Sequence, residues 1–93
     1  MDGQAIRNRL VEKMLRKGMI GGHKRQVDTV VAMALPTHDR GRGKALLETM
    51  VVDPDAPVEA YGGGARDSVR LTWAEAAVAY LRENEGNVPF GYD

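Results

Sequence analysis

Ninety-three residues, no cysteine and equal numbers of basic and acidic side chains (13 of each) set the outer limits. They allow one domain, residues 1–93, with a small core. They exclude disulfides and thiolate metal sites, and the longest apolar run, residues 30–35, is far too short to cross a bilayer. The N-terminal residues include Asp2, Arg7 and Arg9 and form no apolar block, so they do not read as a secretory signal. A reducing cytoplasm is the expected compartment. The charge is uneven along the chain. Residues 1–47 hold ten Lys/Arg against four Asp/Glu, and residues 48–93 hold three against nine. A basic first half points to a polyanion partner, and mutual pairing of the two halves is the alternative.

In chain order, Ile6, Leu10, Val11, Met14 and Leu15 form one helical stripe, which predicts a first helix over about residues 4 to 17. Lys17 followed by Gly18 is a C-terminal signal: a cation in the last turn, then a residue that accepts positive φ. Met19 and Ile20 follow as a short edge strand or a core plug. Val27, Val30, Val31, Ala34 and Leu35 predict a second helix over about 23 to 35, with His23, Lys24 and Arg25 at its start. That is the unfavourable end for cations, an arrangement suited to meeting phosphate.

Pro36 ends this helix, and Thr37 is placed to cap the next one. The third helix is expected over about 38 to 50. Arg40, Arg42 and Lys44 lie near its start, and Leu46, Leu47 and Met50 face the core. Gly41 and Gly43 weaken its first turn, so that turn is either helix or a loop ahead of a helix starting near Gly43, and both leave the basic residues at a mobile, exposed edge. Residues 51–57, with Pro54 and Pro57, read as a linker with a turn at Asp53 and Pro54.

Residues 58–61 and 68–71 alternate and predict a hairpin joined by the glycine-rich residues 62–67. Val58, Ala60, Val69 and Leu71 share its inner face, and Glu59 pairs with Arg70 on the outer one. Thr72 and Glu75 form a capping box for a last helix ending near Asn84. Its stripe of Trp73, Ala76, Ala77, Tyr80 and Leu81 is read as core. Phe90 and Tyr92 then tack the tail onto the body.

Three helices with a proline turn, then a hairpin and a helix, make an α+β chain. It resembles the winged helix-turn-helix domain of prokaryotic and archaeal regulators over residues 4 to 82. The resemblance implies a three-helix body, a β-hairpin wing and a C-terminal helix. The first strand of that fold would fall on Met19 and Ile20. It also implies duplex DNA as partner and a role in transcription regulation. Residues 23–35 would be the supporting helix, 38–50 the recognition helix and 62–67 the wing. Arg40 and Arg42 then suit guanine, and Lys44, Lys24 and Arg25 suit phosphates. His38 opens the same helix and belongs to the same interface. Arg66 at the wing tip would reach a minor groove or the backbone. A homodimer fits, because operators repeat.

Residues 62–72 with 87–92 are also similar to small proteins of halophilic archaea, which implies no activity. The stretch Gly18-Met19-Ile20-Gly21 resembles the backbone clamp of RNA-binding KH domains. A protein-interaction module, using the wing or the last helix as a docking surface, is the reading that needs no nucleic acid.

No catalytic constellation stands out, and the chain is read as a non-enzyme without cofactor or metal. Gly41-Arg42-Gly43-Lys44-Ala45 lacks the spacing and the Ser or Thr of a phosphate loop. No helix opens at the glycine run 62–64, so a dinucleotide fingerprint is missing. Two histidines without cysteine make a structural zinc site improbable. His38 and Asp39, as helix neighbours, are expected to point about 100° apart rather than to pair.

Overall fold

The computed structural model describes residues 1–60 and 68–92. Among them the architecture is α+β, with four α-helices and a three-stranded antiparallel sheet. The order is α1 (Gly3–Arg16), β1 (Arg25–Gln26), α2 (Val27–Ala34), a 3-10 turn (Thr37–Asp39), α3 (Arg40–Val51), β2 (Val58–Ala60), β3 (Ser68–Leu71) and α4 (Ala74–Glu83). In the sheet, β3 lies between β1 and β2.

The first helix is the centre of the packing. Ile6, Leu10, Val11, Met14 and Leu15 are fully buried, as their spacing requires. The Asp2 carboxylate accepts from the Ala5 amide and caps the helix. At the other end Gly18 takes φ +65°, the left-handed conformation expected after Lys17. Met19 is buried, and its carbonyl accepts from the Leu71 amide. Ile20 forms an isolated parallel bridge to Leu71, but the strand proper is residues 25–26, not 19–20. The second helix is therefore shorter than the valine pattern implied. Arg25 pairs with Val69 and Gln26 with Ser68, which takes Arg25 out of the helix and onto the sheet edge and leaves Lys24 in the loop before it.

Pro36 ends α2 as expected, but Thr37 caps nothing. It enters the 3-10 turn, and α3 starts at Arg40 with both glycines helical. The early start has a packing cause. Gly43 is buried, and a Cβ there would collide with Leu35 Cδ1 and come within 3.7 Å of Ile6 Cγ2. Glycine at this position lets α3 lie against α1 and the α2 end. Gly41 faces open space.

The hairpin has the expected register, with Val58 opposite Leu71, Glu59 opposite Arg70 and Ala60 opposite Val69. Glu59 and Arg70 pair at 2.7 Å. Val58, Val69 and Leu71 are buried, whereas Ala60 is exposed. The expected wing tip, residues 62–67, lies outside the described residues. The capping box does not form. Thr72 instead donates from its amide and its hydroxyl to the Pro57 carbonyl, extending the hairpin, and α4 begins at Ala74 without a side-chain cap. With Thr72 held there, Trp73 swings outward and is 59% exposed rather than core. Ala77, Val78 and Leu81 carry the buried face of α4. In the tail Pro89 is buried and Val88 packs on the core, but Phe90 is 98% exposed.

The two glycines of α3 should respond oppositely to alanine. Gly43→Ala is expected to lose about 1–3 kcal/mol through overpacking against Leu35. Gly41→Ala should gain about 0.5–1 kcal/mol from helix propensity. Urea unfolding followed by far-UV circular dichroism measures both, and equal effects would contradict this packing.

Candidate nucleic-acid interface

The cations singled out in the sequence separate into two groups in space. Lys44 reaches from α3 to Asp28 in the first turn of α2, with Nζ 3.2 Å from Oδ1. Lys24 and Arg25 immediately precede that same end of α2, and Arg25 lies beside β3. Lys24, Arg25 and Lys44 are thus gathered near the start of α2, next to the hairpin. The Arg25 guanidinium donates to the Lys24 carbonyl. All three residues are exposed.

Arg40 and Arg42 do not join them. Arg40 folds back on the end of α2, donating from Nε to the Leu35 carbonyl at 3.1 Å and from Nη2 to the Ala32 carbonyl at 3.3 Å. A guanidinium there satisfies carbonyls that the helix leaves unpaired and meets its negative end. Arg42 sits on the opposite flank of α3. Its Nη1 donates to the Met1 carbonyl at 2.9 Å, and its Nη2 lies beside Gly3. Two residues along a helix are separated by about 200°, so Arg40 and Arg42 could not share a face once both were helical.

His38 is 81% exposed, and its Nε2 lies 3.3 Å from Asp39 Oδ2. Their contact corrects the expectation that they point apart, because both belong to the 3-10 turn rather than to an α-helix. Arg66 lies outside the described residues.

The outward strip of α3 carries Gly41, Ala45 and Glu48, all exposed, with Lys44 beside them. Helical spacing places 41, 45 and 48 on one stripe opposite Gly43, Leu47 and Met50. The sequence reading passed over Glu48. Its signal was present in that same spacing, which assigns it to the solvent side once α3 is known to start at Arg40. The strip is small and lightly charged, with cations at its edges.

Residues 18–21 run from α1 into the sheet and not into a second helix, with the Met19 carbonyl already bonded to β3. Among the described residues no three His, Asp or Glu side chains come together as a metal site would need. No helix among them is long and apolar enough to cross a membrane. The chain matches no protein-family model, no curated protein and no solved structure.

Arg40 should therefore matter to folding. Arg40→Ala is expected to cost about 0.5–1.5 kcal/mol from the lost carbonyl contacts and helix-end charge. Lys44→Ala, removing an exposed ion pair, should cost under about 1 kcal/mol. Thermal unfolding of the two variants side by side checks the order, and a larger loss for Lys44→Ala would reverse the assignment.

Proposed function

We propose that the chain is a winged helix-turn-helix domain that binds duplex DNA, with α3 in the major groove and the β2–β3 hairpin as its wing. The observation that carries this reading is the sheet order. A short strand between α1 and α2 pairs with the second hairpin strand, so the hairpin springs from beside the α2–α3 unit. Such a connection supports the resemblance, as does the position of Lys24 and Arg25 just ahead of the end of α2 that Lys44 reaches through Asp28.

In this reading the flanks of α3 hold the duplex and its outward strip reads it. Lys24, Arg25 and Lys44 contact phosphates on one side, and Arg42 does so on the other. The Lys44–Asp28 pair is exposed and weak, so a phosphate exchanges for it at little cost. Gly41 and Ala45 let the helix backbone come close to the groove floor. Glu48 is placed to accept from a cytosine amino group. Arg40, occupied by the end of α2, becomes a positioning residue that sets the angle between the two helices. Control of transcription would follow from such binding.

Fluorescence anisotropy with a labelled duplex tests this. Engagement of about six phosphates predicts a log–log salt slope near −5. Arg42→Ala and Lys44→Ala should each weaken binding evenly across sequences and flatten the slope by about 1, whereas Glu48→Ala should chiefly relax sequence preference. A chain that binds no duplex at low salt is not a DNA-binding protein.

A further inference from the structure

We propose that the recess between α1, the end of α3 and α4 is a binding site for a free α-amino acid with an apolar side chain. The recess measures about 400 Å³, a volume within the range of small-molecule sites. Gln4 and Arg7 of α1 line one side and Tyr80 of α4 another, with Met50, Asp53 and Ala56 along the end of α3 and the turn beyond it. None of these residues belongs to the nucleic-acid interface. Nothing in this inference depends on DNA binding, and its test contains no nucleic acid.

Two opposite charges share the recess without meeting. Arg7 is half-buried, yet its guanidinium makes no hydrogen bond or ion pair among the described residues. The Asp53 carboxylate accepts from the Asp55 amide through Oδ1 at 2.9 Å, which leaves Oδ2 for a ligand. Asp53 also follows the end of α3, whose terminal carbonyls favour a cation. Arg7 therefore suits a carboxylate and Asp53 an ammonium group. A dicarboxylate would set like charge against Asp53, and a diamine would do so against Arg7, so the pair selects a zwitterion.

The wall between these charges is already in place. Gln4 Nε2 donates to Asn8 Oδ1 and to the Tyr80 hydroxyl, both at 3.0 Å. Asn8 donates to the Asn84 carbonyl, and Asn84 to the Tyr80 carbonyl. This chain of amides fixes α1 against α4 and lowers the ordering cost of binding. It leaves two groups for the ligand. The Tyr80 hydroxyl, which accepts from Gln4, keeps its own hydrogen for a carboxylate, and Gln4 keeps Oε1 as an acceptor for an ammonium group. Met50 and Ala56 are buried and supply an apolar floor. Asp53 is exposed, so the ligand stays partly in water. The expected dissociation constant is on the order of 0.1–1 mM.

The test is an NMR titration of the full, nitrogen-15-labelled chain with alanine, valine, leucine or methionine, each to about 20 mM. At least one should give saturable shifts centred on the amides of Arg7, Met50, Asp53 and Tyr80. For leucine, two analogues separate the charges: N-acetylleucine lacks the ammonium group and leucinamide lacks the carboxylate. Each should bind at least about tenfold more weakly than leucine. Arg7→Gln should abolish the discrimination between leucine and leucinamide, and Asp53→Asn that between leucine and N-acetylleucine. Asparagine retains the Oδ1 that caps the turn, and far-UV circular dichroism verifies that both variants are folded. The inference is overturned by no saturable shift with any of the four amino acids, by shifts centred elsewhere, by analogues that bind as tightly as leucine, or by folded variants that keep both discriminations.

Discussion

The contact of Gly43 with Leu35 and Ile6 holds the arrangement together. Three segments meet there: the buried stripe of α1, the residue that ends α2, and the start of α3. A Cβ at 43 would displace the Leu35 methyl, and glycine brings α3 close enough for Leu47 and Met50 to enter the same core as Leu10 and Met14. Gly43 is poor for the helix in isolation, by about 1 kcal/mol relative to alanine. Burial of the neighbouring apolar side chains outweighs that cost. The orientation of α3, and with it Arg42, Lys44 and Glu48 of the candidate interface, follows from this contact.

Much of the fold was readable because its signals are periodic. The α1 stripe, the alternation of residues 68–71 and the Glu59–Arg70 pairing all depend on local spacing, and the structure preserves each of them, whereas Ala60 of the partner strand is exposed against its pattern. Non-local competition produced the departures. Thr72 has the sequence of a helix cap, yet the Pro57 carbonyl claims its amide and hydroxyl, and Trp73 turns outward as a result. Arg25 and Gln26 have no strand-like pattern of their own. They become a strand because β3 offers an unpaired edge, which two residues of sequence cannot reveal. Gly41 and Gly43 look alike in the chain, and only their surroundings separate them.

The candidate interface was less legible than the fold for the same reason. Counting cations identified Arg40, Arg42 and Lys44 as one cluster, but helical geometry sends the two arginines to opposite flanks. Arg40 meets the carbonyl end of α2 and Arg42 meets the start of α1. Lys24 and Arg25, by contrast, precede the end of α2 whose Asp28 meets Lys44. What remains on the solvent side of α3 is a strip of small residues and one carboxylate, a pattern masked in the sequence by its basic neighbours.

The bond from the Arg42 guanidinium to the Met1 carbonyl has a practical consequence. It ties the first residue to the flank of α3, so any polypeptide joined ahead of Met1 emerges alongside that helix. A purification tag fused there would crowd the flank of α3 that carries Arg42.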